Sequence, residues 1–327
     1  MLAVAVGTSF WGVAPSSRAS ATNAVGVLVA SAPNASAIAA DGDGVMFTDR
    51  LGGRLLRVSS NGTVRVVATV PVRRPVVGQR GLLGLAIKRA IGTKTGALRS
   101  VFVSYVDTDG RLVVGAIDVD DERDASGPLK VLWIGRRAAD LANGGTLRIV
   151  GERLLVSLGQ NITGDGESSG RIISLPIPKG AVLPVAPSAV SIAADGHWHN
   201  PYGFDAGIDR RGRQTDELWV ADNAPREEPE RIVRVHGVGP SAKFAEEHLP
   251  VKTAPSSLVV VDTDRVALCG YVSRRLELLT VRHSGAVLVV TRTTLADDCA
   301  VGLALLPEQR LAYGTGVSIK VVQIPSA

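Results

Sequence analysis

The chain has 327 residues, 45% of them hydrophobic but only 4% aromatic, with 36 Gly, 17 Pro and a formal net charge of +5. That length suits one large all-β domain or two average ones, and a core drawn from Val, Leu, Ile and Ala favours many short strands joined by tight turns. The arginines are spread through turns and outward strand positions rather than along one stripe, which argues against nucleic-acid binding and for a solvated surface.

Leu2 to Val13 is mostly apolar and is followed by Ala19-Ser20-Ala21, an A-x-A-like cleavage pattern. Residues 1–24 therefore read as a signal peptide or flexible N-terminus, and the expected location is secreted or extracytoplasmic, in a periplasm or cell envelope. The apolar run, interrupted by Thr8 and Ser9, is too short to span a membrane, so no transmembrane segment is expected. Residues 25–327 read as a single domain.

From residue 25 onward a unit of strand, turn, strand, turn, strand recurs. The first copy is Ser36–Ala40, Val45–Asp49 and Arg54–Val58; the second is Leu82–Ile87, Val101–Val106 and Arg111–Ile117. The third has Gly145–Val150, Arg153–Leu158 and Arg171–Leu175. In the fourth, a strand from His197 to Ala206 precedes Asp216–Pro225 and Arg231–Val235. The fifth is Ser257–Val261, Arg265–Gly270 and Arg275–Val281, and the sixth Val301–Leu306, Arg310–Gly314 and Ser318–Ile324. Linking segments such as Thr63–Val70, Leu129–Ile134 and Gly285–Arg292 supply a fourth strand to several units.

Six such repeats without crossover helices predict an all-β, six-bladed β-propeller. Either Val25–Ala30 or the segment near Ile324 would close the ring. Cys269 falls in the second strand of unit five and Cys299 enters the first strand of unit six. Adjacent blades would bring these within bonding range, and in an oxidising compartment a disulfide is expected.

Several motifs carry a further signal. Gln79-Arg80-Gly81-Leu82-Leu83-Gly84-Leu85-Ala86 resembles the "QNGLLG-F/L-A" segment of the soluble quinoprotein glucose/sorbosone dehydrogenases. Val101-Phe102-Val103-Ser104-Tyr105 resembles the strand that follows there. Asn143-Gly144-Gly145-Thr146-Leu147 resembles "HNGG-x-L", and Ser169-Gly170-Arg171-Ile172 resembles "AGKI". Asn200-Pro201-Tyr202-Gly203-Phe204, with Trp219-Val220-Ala221-Asp222-Asn223-Ala224-Pro225, resembles "RNPxG" followed by "LWVADNGP". The resemblance runs in order across residues 36–325. It implies a divergent member whose relatives are six-bladed propellers that bind pyrroloquinoline quinone (PQQ) and calcium and oxidise aldoses at the channel mouth.

The departures fall on the chemistry. The resemblance places the catalytic base, a His, where this chain has Ala142, and a methyl group accepts no proton; general-base catalysis contributes about 10²–10⁴-fold. Asp140, two residues away, could replace it only in a reshaped loop. The quinone's three carboxylates need fixed cations. Its "RNP" arginine corresponds to His199, with Asn200 retained, and two further arginines correspond to Cys299 and Val301; Arg274 or Arg275 stands near the remaining lysine position. The calcium loop corresponds to Asn223, Ala224 and Glu230, with Pro229 at an Asp position and Glu227 and Glu228 nearby. Calcium wants six to eight oxygens, so this is a thin set.

His197 and His199, two residues apart, invite a zinc reading without further ligands. Asp41-Gly42-Asp43-Gly44 and Asp107-Thr108-Asp109-Gly110 read as hairpin turns. The expected role is binding of a small polar ligand, envelope glycan or protein partner at a mouth formed by Gln79, Asn143, His199, Asn200 and Asn223. The rival expectations are an active PQQ-dependent aldose dehydrogenase with a rearranged site, and a scaffold that uses the outer blade surface.

Overall fold

The computed structural model describes residues 26–326 apart from 43, 60, 90–97, 121–124, 161–169, 179–183, 225–227, 238–242, 251 and 285–286. The signal-peptide expectation lies outside the described residues, as do Pro225, Arg226 and Glu227 of the predicted calcium loop. Among the described residues there is no α-helix, and no helix long and apolar enough to cross a membrane.

Six blades form a ring. Blade 1 is β2 (Ala35–Asp41), β3 (Gly44–Asp49), β4 (Arg54–Val58) and β5 (Val64–Thr69). Blade 2 is β6 (Leu82–Arg89), β7 (Leu98–Val106), β8 (Arg111–Asp120) and β10 (Lys130–Arg137), with the short β9 (Ala125–Ser126) beside β8. Blade 3 is β11 (Gly144–Val150), β12 (Arg153–Leu158), β13 (Gly170–Pro176) and β14 (Ser191–Trp198). Blade 4 is β15 (Pro201–Ile208), β16 (Gln214–Asp222), β17 (Arg231–His236) and β18 (Lys243–His248). Blade 5 is β19 (Pro255–Val260), β20 (Arg265–Gly270), β21 (Leu276–Ser284) and β22 (Val287–Ala296).

Blade 6 is β23 (Val301–Leu306), β24 (Arg310–Gly314), β25 (Ser318–Gln323) and, from the other end of the chain, β1 (Val27–Ser31). Of the two expected closures, the N-terminal strand is the one used: β1 pairs antiparallel with β25. Blades 4 and 5 touch through one parallel bridge, Glu246 to Val287, which links their edges into a continuous eight-stranded sheet.

Two expectations need correction. His197 and Trp198 do not open the fourth blade. They end β14, the outermost strand of blade 3, where Trp198 lies opposite Gly170. The inner strand of blade 4 starts only at Pro201, and His197 sits inside β14 with a left-handed φ of 52°. The outer strands β14 and β18 were also not anticipated: an edge strand pairs on one side only and needs little apolar alternation.

The core lies between blades rather than within one. Met46, Leu55 and Val70 of blade 1 pack against Leu85, Val101 and Val103 of blade 2, and the same interleaving recurs around the ring. Each fully buried Val or Leu contributes about 1.5–3 kcal/mol. Towards the centre, polar groups stitch neighbouring blades together. Ser36 Oγ donates to Leu82 O at 2.6 Å, Ser104 to Gly145 O and Thr146 to Tyr202 O. Val260 N–H donates to Asp205 Oδ2 at 3.0 Å, and Ser256 Oγ to Ala300 O at 2.7 Å. The circuit closes without a hydroxyl at blades 6 and 1, where Gly302 packs so close to Ile38 that an added Cβ would sit 2.8 Å from its Cγ1.

Candidate functional site at the channel mouth

Each crossover from an outer strand to the next inner strand lands on the same end of the ring, together with the turns between second and third strands. Gln79, Asn143, His199, Asn200, Asn223, Glu230 and Arg274 all fall on these segments. The expected constellation therefore shares one end of the propeller, although its members do different work.

Gln79, Ala142 and Asn143 are in contact. Ala142 N–H donates to Gln79 Oε1 at 2.8 Å, and Gln79 N–H donates to Asp140 O at 2.7 Å. Asn143 is 4% exposed and uses both amide hydrogens on backbone carbonyls, Ala139 O at 2.8 Å and Gln79 O at 3.2 Å. Asn143 is thus a clasp that joins the two crossovers of blade 2. Ala142, at the position expected for a base, has a left-handed φ of 55° and is buried. Asp140 is exposed and pairs with Arg80 at 2.9 Å.

His199 and Asn200 form the crossover between blades 3 and 4. Their backbone N–H groups both donate to Asp222 Oδ1, at 3.0 and 2.9 Å. Asp222, at the end of β16, is fully buried and also faces Arg231 at 3.4 Å. Burial pushes its carboxyl up from the ordinary value, against the pull of the Asn200 N–H and of Arg231. The His199 ring lies between two carboxylates: Nε2 is 2.6 Å from Glu228 and Nδ1 is 3.7 Å from Asp222. Asn200 is 4% exposed, and its Oδ1 has no hydrogen-bond partner. A buried acceptor without a donor is uncommon and is a natural place for a ligand hydroxyl or water.

One residue joins these two halves, Gly159, which no motif in the sequence marks. Gly159 N–H donates to Asn143 O at 3.3 Å, and a Cβ at Gly159 would come within 2.7 Å of Asn200 Oδ1 and still closer to Ala142 O. Only glycine lets the β12 end pass between them. Beside it, Gln160 N–H donates to His199 O. Tyr202 also belongs to this wall, its phenol pushed up by burial while the positive field of Arg50 across the ring acts in the opposite sense.

The remaining expected residues are committed elsewhere. Asn223 N–H donates to Asn200 O at 3.0 Å. Both oxygens of Glu230 accept the Ala254 N–H, at 2.8 and 2.9 Å, and burial raises its carboxyl. Ala224 is buried and has no side-chain oxygen to offer. Among the described residues no three His, Cys, Asp or Glu side chains converge, so neither calcium nor the zinc reading of His197 and His199 finds a ligand set.

The quinone fares no better. Arg50 donates to Gly78 O and Arg80 O, Arg80 to Ala138 O and Ala139 O, and Arg231 to Asp222, Glu246 and Gly196 O. Arg274, at φ 59° in the β20–β21 turn, donates to Thr315 O at 2.6 Å. Cys299 is fully buried and bonded to Cys269, with a Cα–Cα distance of 5.7 Å. The residues present do not fit a cofactor with three carboxylates.

No protein-family profile and no curated protein matches the sequence. Solved structures do. The chain is similar to the soluble aldose sugar dehydrogenase of Escherichia coli in its apo-form, with TM-score 0.66 and 15% identity over 92% of this chain and 99% of that one. It is similar to the PQQ domain of a pyranose dehydrogenase from Coprinopsis cinerea, with TM-score 0.59 and 12% identity over 92% and 94%. It is also similar to a gluconolactonase from Xanthomonas campestris, with TM-score 0.54 and 16% identity over 90% and 87%. At these identities the likeness establishes a shared propeller fold.

Proposed function

We propose that this chain is an exported, divergent relative of the glucose/sorbosone dehydrogenases that binds a sugar or envelope glycan at the channel mouth and does not use the quinone. The observation that carries this reading is the Cys269–Cys299 bond. At the position where the resemblance puts a cofactor-binding arginine, this chain has a buried half-cystine. Val301 at the second arginine position and Ala142 at the base position point the same way. Arginine's bidentate fork has no substitute in a thioether-like sulfur or an isopropyl group.

A ligand would meet Asn200 Oδ1, the amide NH2 of Gln79 and the imidazole of His199. Paired amide and imidazole groups at the end of an open ring suit hydroxyl-rich molecules. Export is supported by the N-terminal apolar run with its A-x-A-like site and by the disulfide, which persists in oxidising compartments. Titration of the purified protein with a panel of aldoses and N-acetylated sugars, in parallel with an Asn200→Ala variant, tests it. Binding that is lost in the variant supports the reading; no binding by any sugar, or equal binding by both, would move the function to the outer blade surface.

A second reading is favoured by one observation. His199, 2.6 Å from Glu228, is a titratable group at the mouth. In an active PQQ-dependent aldose dehydrogenase with a rearranged site, His199 would take the base role that Ala142 cannot. Sugar oxidation that depends on added quinone and is abolished by His199→Gln would favour it.

A further inference from the structure

On the mouth end of blade 2, Arg73, Arg111 and Arg137 gather around the Asp107–Gly110 turn; among the described residues none of the three guanidiniums is ion-paired, although Asp107 Oδ1 accepts the Arg111 N–H at 2.8 Å. Arg111 and Arg137 are register partners on the antiparallel strands β8 and β10. Like charges directly opposite each other destabilise a strand pair. The turn before Arg111 is tight: Gly110 has φ 78°, and Arg73 Nη1 lies where its Cβ would be, at 2.2 Å. Arg73 is anchored there through its own N–H, which donates to Val106 O at 3.0 Å.

Several arginines elsewhere are tied to acids, as Arg54 is to Asp49, Arg148 to Asp205, Arg234 to Glu217 and Arg265 to Asp262. Arg73 and Arg137 make no side-chain bond among the described residues, and Arg111 spends only its Nε, on Gly135 O at 3.0 Å. An open cleft of about 560 Å³ separates the group, lined by Arg111, Arg137 and Asp109. Asp109 likewise has no partner. The adjoining Ala138 N–H donates to Gly110 O at 2.8 Å, and from Ala138 the chain runs directly to Ala142 and Asn143 at the mouth.

We infer that this cleft is a docking site for an acidic saccharide, a glycan bearing uronate carboxylates. Guanidinium forks recognise carboxylates bidentately, and the like-charge pair Arg111–Arg137 gains most from an anion placed between its members. Asp109 narrows the class. Its carboxylate accepts hydrogen bonds from sugar hydroxyls while the guanidinium pair takes a carboxylate, so the lining matches a molecule that carries both groups. A nucleic acid would want aromatic faces for its bases, and none lines the cleft. The inference stands apart from the mouth reading, because none of its residues touches Asn200, Gln79 or His199.

The test is calorimetric titration of the full-length protein with a galacturonate trimer, a neutral galactose trimer and inorganic phosphate, at low and at raised salt. The expected result is binding of the acidic trimer alone, weakening as salt rises. Arg73→Gln with Arg137→Gln should weaken it by roughly tenfold or more, while Asn200→Ala leaves it unchanged. The melting temperature of Arg137→Gln should equal or exceed that of the parent, because a repulsion is removed. Binding of the neutral trimer with equal strength, binding of phosphate alone, or acidic-trimer binding untouched in the folded double variant would each overturn the inference.

Discussion

Cys299 is covalently joined to Cys269, so the crossover that leads into the inner strand of blade 6 is stapled to the second strand of blade 5 at the end of the ring that carries the mouth. Around it, Cys269 and Cys299 pack with Leu276, Leu303, Leu311 and Tyr313 in one apolar cluster. The bond thus reinforces an inter-blade seam at the position where the sequence resemblance puts a cofactor-binding arginine.

The first prediction concerns this bond. The two cysteines are 30 residues apart, for which loop-closure reasoning gives about 3–4 kcal/mol. Unfolded, unreduced protein should show no reactive thiol, and Cys269→Ser with Cys299→Ser should lose stability of that order in denaturant. Two titratable thiols in the untreated protein would refute it.

The second concerns Asp41. Its side chain is buried on the end of blade 1 away from the mouth, 2.7 Å from Arg57 and in contact with Arg99 of blade 2. Removing one member of a buried ionic group strands the others, at about 3–5 kcal/mol. Asp41→Ala should therefore destabilise the protein by that order in denaturant unfolding, far more than Asp109→Ala at the exposed turn. Equal effects would show that Asp41 adds nothing to the blade 1–blade 2 seam.

The third follows from the carboxyl of Asp222, which burial holds above its ordinary value of 3.8. The folded protein then binds this proton more tightly than the unfolded chain. Its contribution to stability is present at low pH and is lost as pH rises from 3.8 through the folded value. Relative to Asp222→Asn, the parent should lose stability over that rise. A parent advantage that grows with pH would mean that Arg231 and the N–H groups of His199 and Asn200 outweigh desolvation.

Much of the fold was legible because the inner three strands of each blade are apolar and evenly spaced. Val45–Asp49, Arg54–Val58 and Val101–Val106 are strands where expected. The outer strands were harder. Ser191–Trp198 has exposed Ser191 and Ile192 and a turn-like Asp195-Gly196 inside it, so nothing in its pattern separates it from a loop. For the same reason the sequence pattern places His197 and Trp198 in blade 4, whereas they end β14 of blade 3. At the site, Gln79, Asn143 and Asn200 were visible as motif residues, but their division of labour was not. Asn143 as a clasp, Asp222 as the anchor of the His199–Asn200 crossover, and Gly159 between the two halves all depend on contacts between distant segments.

The fourth prediction concerns restoration of the base. Ala142→His places a side chain that tolerates left-handed backbone at φ 55°. It should still give no quinone-dependent aldose oxidation, because a base without a positioned cofactor has nothing to serve. Turnover in this single variant would show that the cofactor is held by residues other than those at the Cys299 and Val301 positions.

The central claim is the proposal that this propeller does not bind the quinone. The most direct measurement is to incubate the purified protein with PQQ and calcium, desalt it, record the cofactor absorbance, and assay dye-coupled oxidation of glucose and other aldoses. The expected result is no retained cofactor and no oxidation above background. Stoichiometric absorbance after desalting, with turnover by the unmodified protein, would contradict the claim.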